Sequence, residues 1–194
     1  MISKLFEGER IRLTALRADD AQTFSQWYQD GEFARLFDAN PAVPKSERDI
    51  EKYVDDAFRD RSRHAFAIRQ HFSDELVGVL ELDSIQWSHG SAWLAIGIGD
   101  PAYRNKGYAT EAMTLLLKFA FHELNLHRLQ LTVFSYNEPA IRLYENLGFK
   151  REGVFREALH RDGQRFDMLL YGLLKPEWEA ASGATGATSV PPAP

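Results

Sequence analysis

A strand that runs through a short loop directly into a long amphipathic helix limits this chain to layered α/β architectures. Trp93 to Ile98 is an apolar run of strand length. From Gly107 to about Glu123, the residues Ala109, Ala112, Met113, Leu116, Phe119 and Ala120 recur on one helical face. Such a strand needs sheet neighbours, and such a helix needs an apolar layer to cover. The rest of the chain supplies both. Ile11, Leu13 and Ala15 alternate with polar residues as a half-buried first strand. Asp19 is placed to cap a helix over Ala21 to Tyr28. After Pro41 and Pro44, Ser46 and Asp49 resemble a capping box that opens a helix to about Arg61. Ala65 to Arg69 and Leu76 to Ile85 read as a strand pair joined by a polar turn at Ser73–Asp74.

Beyond the long helix, Arg128 to Phe134 reads as a strand. Pro139 to Asn146 reads as a short helix with proline in its first turn and Gly148 as its terminator. Lys150 to Ala158 and Arg165 to Leu174 flank Arg161-Asp162-Gly163-Gln164, whose Asp-Gly pair is a strong hairpin signal. The expected fold is a single mixed α/β domain of six or seven strands and about four helices. The residues from 180 to 194 are only Ala, Ser, Gly, Thr, Val and Pro, so they are expected to form a flexible tail behind a domain spanning 1–179.

Composition narrows the function classes. The 194 residues include 23 basic and 28 acidic side chains, a formal charge of −5, and no cysteine. The length fits one domain with a substantial core. Net acidity argues against general nucleic-acid binding, which needs a basic excess to displace counterions, but not against a local anion site. The absence of cysteine removes disulfides, thiolate metal sites and a cysteine nucleophile, and fits a cytoplasmic location. Met1 to Leu13 carries Lys4, Glu7, Glu9, Arg10 and Arg12 where a signal peptide would be apolar. No stretch approaches the roughly 18 apolar residues of a membrane span. The histidines lack metal-ligand spacing with carboxylates, so no metal site is expected.

The chemistry concentrates between Ile98 and Thr110. A helix start leaves backbone N–H groups without partners and adds the positive end of the macrodipole. Gly107 permits close backbone approach, Ala109 is small, Thr110 adds a hydroxyl, and Arg104 and Lys106 add cationic charge. Together these make a diphosphate cradle; the plain alternative is an ordinary helix start. Gly97-Ile98-Gly99-Asp100-Pro101-Ala102 formally fits a dinucleotide fingerprint but fails in context, because Asp100-Pro101 interrupts the turn. Lys106-Gly107 has the wrong order for a Walker loop. About thirty residues later, Asn137 stands where a strand gives way to a helix, and Tyr144 lies two turns along on nearly the same face. A helix cap and a packed aromatic are the plain readings of these two residues.

Arg104-x-x-Gly107-x-Ala109 followed by Asn137-x-x-Ala140-x-x-Leu143-Tyr144-x-x-Leu147-Gly148-Phe149 resembles the GNAT family of acyl-CoA-dependent N-acetyltransferases, over roughly Glu9 to Pro176. Glu9 to Leu13 and Arg161 to Met168 are similar to its ribosomal-protein N-terminal and spermidine acetyltransferase branch. The resemblance implies a mostly antiparallel central sheet splayed in the middle, acetyl-CoA as co-substrate and a primary amine as acceptor, from a protein N-terminus or a small molecule. The branch also favours a homodimer. Carried over, the backbone N–H groups of Asn105, Lys106, Gly107, Tyr108, Ala109 and Thr110 would bind the CoA pyrophosphate, with Arg104 as a cofactor-binding cation beside them. Gly97, Ile98 and Gly99 would pair with the pantetheine arm, Asn137 would contact it, and Tyr144 would protonate the leaving thiolate. A backbone N–H near Ile98 would stabilise the oxyanion.

Some members carry a glutamate base five residues before the asparagine; this chain has Thr132 there. The base is then another carboxylate, with Glu81 the first candidate and Asp83 the second, or a water chain, or absent; a solvated strand residue and a binder of a cationic substrate are the other readings of both carboxylates. Phe33, Phe37 and Trp87 are candidates to line the acceptor cleft, with core packing the plain reading of at least one. Arg59, Arg61 and Arg63 read as a solvated basic helix end, with the CoA 3′-phosphate or an acidic peptide as the alternative ligand. Two rivals stand beside the acetyltransferase reading. One is an enzyme using a larger acyl group or a polyamine or antibiotic amine; the other is a CoA-binding sensor with little catalysis.

Overall fold

The computed structural model describes residues 4–29 and 31–186. Seven strands form one sheet: β1 (Ile11–Thr14), β2 (His64–Gln70), β3 (Leu76–Gln86), β4 (Ser91–Ile98), β5 (Arg128–Phe134), β6 (Lys150–Arg161) and β7 (Gln164–Leu174). Their order is β1-β2-β3-β4-β5-β7-β6. Every neighbouring pair is antiparallel except β4 and β5. Six helices accompany them: α1 (Asp20–Trp27), α2 (Glu32–Phe37), α3 (Glu47–Arg59), α4 (Tyr108–Lys118), α5 (Glu138–Asn146) and α6 (Lys175–Gly186).

The sheet separates two cores, and strand alternation decides which side chain enters each. Ala92 and Leu94 of β4, with Leu129, Leu131 and Val133 of β5, pack with Ala112, Met113, Leu116 and Leu117 of α4. On the other face Phe24, Trp27, Phe33, Ile50 and Val54, from α1 to α3, pack on Ala67 and Val79. A buried ion pair, Arg69 to Asp20 at 2.6 Å, ties α1 to β2.

Local chemistry explains most boundaries. Both arms of the Ser46–Asp49 capping box are present at α3. The hairpin expected at Asp162-Gly163 forms with positive φ at both residues, 49° and 75°, as a type I′ turn requires. Asp19 precedes α1 but makes no side-chain cap, because its own backbone is already helical. Asp20 instead accepts the Arg17 N–H at 2.7 Å.

Three expectations change. The long helix ends its regular α-turns at Lys118 and widens into a π-turn over Phe119–Glu123, where the Leu124 N–H donates to the Phe119 carbonyl. Among the described residues six helices stand where about four were expected: α2 has only six residues, too few for an apolar period to show. α6 runs to Gly186, past the boundary expected at residue 179. Alanines at 180, 181 and 184 favour a helix once Lys175–Trp178 has started one against β7. The remaining part of the expected tail, 187–194, lies outside the described residues. Among the described residues no helix is long and apolar enough to cross a membrane.

Candidate active site

β4 and β5 pair only over Ser91–Trp93 and Arg128–Gln130, and then diverge. β3 holds β4 along its whole length, and β7 holds β5. Each strand keeps its outer partner through the divergence, which leaves Leu94 to Ile98 without a strand on the inner side. A cavity of about 760 Å³ occupies the gap, lined by β4, β5, α2, α5 and the loop into α4. That volume is in the range of small-molecule and cofactor sites.

The loop before α4 is built by its sequence in a definite way. Asp100 accepts the Ala102 N–H at 2.7 Å and starts a 3₁₀ turn at Pro101–Tyr103, which is why Asp-Pro interrupts any dinucleotide turn. Asn105 and Gly107 then both take positive φ, 57° and 82°. The backbone N–H groups of residues 105 to 110 find no acceptor among the described residues, whereas the next one, of Glu111, bonds the Gly107 carbonyl. Asn105, Gly107, Tyr108, Ala109 and Thr110 line the cavity. A run of unpaired N–H groups at a helix start, facing a cavity, fits a diphosphate.

Other expected members of this group behave differently. Arg104 lines the cavity, but its guanidinium donates to the carbonyls of Ile98 (3.3 Å) and Gly99 (3.0 Å) and pairs with Glu32 at 3.0 Å. It braces the loop and is not an open cation. Lys106 is exposed and does not line the cavity. Gly97 and Ile98 line it, but Gly99 does not. Both polar groups of Gly99 are occupied, its N–H by the Val77 carbonyl at 3.0 Å and its carbonyl by Arg104. A side chain at 99 would collide with Trp27, and one at 97 would meet Phe37 at 2.7 Å and Phe33 at 2.9 Å. These glycines let α1 and α2 press against the end of β4.

On the opposite wall, Asn137 caps α5 by accepting the Ala140 N–H at 3.3 Å, and its amide nitrogen reaches the Leu36 carbonyl at 3.5 Å. It lines the cavity while also tying α5 to α2. Tyr144 lines it too and is 5% exposed; its hydroxyl has no partner among the described residues. Burial pushes its phenol well above the ordinary value.

The candidate bases are not in the cavity. Glu81 accepts from the Tyr53 hydroxyl at 2.8 Å and from the Arg63 Nε at 3.0 Å, on the α3 side of β3. Asp83 accepts the neighbouring Ser84 N–H at 2.6 Å. Arg63, expected to be solvated, is the ion-pair partner of Glu81 and stacks 4.5 Å from the Tyr53 ring. Glu81→Gln is accordingly expected to lower the thermal midpoint and leave the shape of the pH–rate profile unchanged. A displaced ascending limb would return Glu81 to the role of base.

Phe33 and Phe37 line the cavity, stacked at 5.1 Å, but Trp87 lies outside it against His64. Sequence reading missed Trp93, Phe134, Tyr136 and Met168 in the same lining. Trp93 was findable, since it shares the β4 face of Gly97 by period-two alternation. The clasp that places α2 was not. Arg35 pairs with Asp162 through two bonds of 2.9 Å, Arg161 donates to the carbonyls of Asp38, Ala39 and Asn40, and Tyr136 donates to the Arg35 carbonyl at 2.5 Å. Among the described residues no group of three or more His, Asp or Glu side chains is placed to hold a metal ion.

A β4–β5 pair that splays, a helix start with unpaired N–H groups beside the gap and a buried tyrosine in its lining are the geometry against which known proteins are compared. The acetyltransferase (GNAT) domain profile matches residues 10–150. The spermidine N(1)-acetyltransferase of Escherichia coli is 28% identical over 182 residues, covering 94% of this chain and 95% of the relative. A prophage-derived N-acetyltransferase of Bacillus subtilis is 29% identical over 176 residues, covering 91% and 96%. A spermidine N-acetyltransferase from Vibrio cholerae, solved with CoA and spermine, superposes with a TM-score of 0.79 at 25% identity, covering 88% of this chain and 99% of that one. The chain belongs to the GNAT family and is an acetyl-CoA-dependent N-acetyltransferase.

Proposed function

We propose that the chain acetylates an amine of low pKa, such as a peptide α-amine, by direct attack in a ternary complex. The observation that supports this reading is the aromatic lining of the cavity: Phe33, Phe37, Trp93, Phe134 and Tyr136 belong to it, and among the described residues its carboxylates are Glu32 and Asp38. Glu32 is bound to Arg104, and Asp38 accepts two bonds from Asn40. A polyamine carries several ammonium groups and calls for several open carboxylates. One amine on an apolar residue does not.

Acetyl-CoA supplies an activated acyl carbon and a thiol leaving group. The N–H groups of residues 105 to 110 would hold its diphosphate, and the inner edge of β4 at Gly97 and Ile98 would pair with its arm. N–H groups on that edge would also stabilise the oxyanion. Glu81 and Asp83 lie outside the cavity, Thr132 stands on β5, and the two carboxylates of the described lining, Glu32 and Asp38, are already bonded to Arg104 and Asn40. The acceptor must then arrive neutral. An α-amine, with a pKa of about 7.7–8.0, does so near neutral pH, whereas a lysine-type amine near 10.4 does not. Tyr144 stays protonated across that range and donates its hydrogen to the departing thiolate; the proton released by the amine restores the phenol.

The test is an acetyl-CoA consumption screen across peptide α-amines, polyamines and aminoglycosides. Turnover is expected with peptides, with kcat/KM rising to a plateau above the pKa of the peptide amine. Faster turnover with spermidine would transfer the assignment to the polyamine substrates named for the relatives.

A further inference from the structure

Arg10 stands immediately before β1, about a hundred residues from the co-substrate loop, and yet is bonded to it. Its Nη1 donates to the Lys106 carbonyl at 2.6 Å. Its Nε donates to Glu111 Oε2 at 3.0 Å, and its backbone N–H to Glu111 Oε1 at 2.9 Å. The Ile11 N–H adds a contact of 3.4 Å to the same oxygen. Glu111 lies in the first turn of α4, and Gly8 leaves room for its carboxylate, which a side chain there would strike. The Arg10 guanidinium also lies 5.5 Å from the Tyr108 ring. Burial raises the Glu111 carboxyl, but the bonds from Arg10 and Ile11 outweigh it and keep the group below its usual value.

A trans peptide points its carbonyl and the following N–H in opposite directions. An arginine that holds the Lys106 carbonyl therefore turns the Gly107 N–H away from itself, toward the cavity that Gly107 lines. Gly107 is pressed against this arginine, since a Cβ there would lie 2.8 Å from Arg10 Nη2. We propose that Arg10, held by Glu111, is a positioning residue that presets the diphosphate cradle by fixing the peptide plane between Lys106 and Gly107. The proposal rests on the reading of residues 105 to 110 as that cradle.

Charge alone makes the opposite forecast for one variant. A carboxylate beside an anion site repels the anion, so neutralising it would tighten binding. Positioning requires it to loosen, because Arg10 loses the partner that orients it. The experiment is calorimetric titration of CoA and of dephospho-CoA into Arg10→Lys and Glu111→Gln, well below each melting midpoint, with Gly107→Val alongside. Arg10→Lys is expected to weaken both ligands equally, by about tenfold, since a lysine cannot bond Lys106 and Glu111 in one planar fork. Glu111→Gln is expected to weaken both severalfold. Affinities within twofold of the parent, or tighter binding by Glu111→Gln, would overturn the proposal. So would a loss confined to CoA, which would make Arg10 a ligand of the 3′-phosphate. If Gly107→Val also leaves affinity unchanged, the cradle reading itself fails; if only the Arg10 and Glu111 variants do, the positioning role fails.

Discussion

Gly107→Val is expected to weaken acetyl-CoA binding by roughly 10²–10³-fold in a calorimetric titration, the sum of backbone strain and lost charge-assisted hydrogen bonds. Gly107 has φ of 82°, a conformation a β-branched residue resists strongly. Its Cβ would also lie 2.8 Å from the guanidinium of Arg10. The chain can relieve both conflicts only by turning the peptide planes on either side, which redirects the N–H groups of the helix start. The domain is expected to remain folded, because the apolar face of α4, with Ala112, Met113, Leu116 and Leu117, lies beyond the altered turn. An unchanged affinity would remove the cradle from the loop.

Tyr144→Phe is expected to lower kcat by about 10²-fold or more, the usual scale for a positioned acid, with acetyl-CoA affinity within a few-fold of the parent. The substitution keeps the ring that packs on Phe149 at 5.9 Å, so the fold has little reason to move. The pH dependence separates this role from others. Because burial raises the phenol, it is protonated throughout the neutral range. The ascending limb then belongs to the acceptor amine, and it should persist in the variant at reduced height. Undiminished turnover with bound acetyl-CoA would assign the proton transfer elsewhere.

Elements whose cause is local were legible in the chain. The capping box at Ser46–Asp49, the type I′ turn at Asp162-Gly163 and the strand–loop–helix from Trp93 onward each follow from residues close in sequence. The same holds for the cavity residues Gly107, Asn137 and Tyr144, which lie on or beside elements with clear periodicity. Partners decided by distant residues were not legible. Glu81 reads as an available carboxylate until Arg63 and Tyr53, on other elements, occupy it. Gly99 and Arg104 read as ligand contacts until each is seen to satisfy the other.

The sequence by itself determined a cysteine-free acidic domain of layered α/β type, with a glycine-led helix start beside Arg104 and Lys106 in the middle of the chain. Backbone propensity, period and capping are short-range effects, so they are written in contiguous residues. Tertiary structure alone decided the gap between β4 and β5, whose pairing ends at Trp93 and Gln130 while β3 and β7 stay paired with them on the outer sides. It also decided the clasp of α2 by the β6–β7 turn, and the grip of Arg10 on a loop 96 residues away. Those contacts depend on where long side chains meet after the sheet has closed, and no spacing along the chain encodes that meeting.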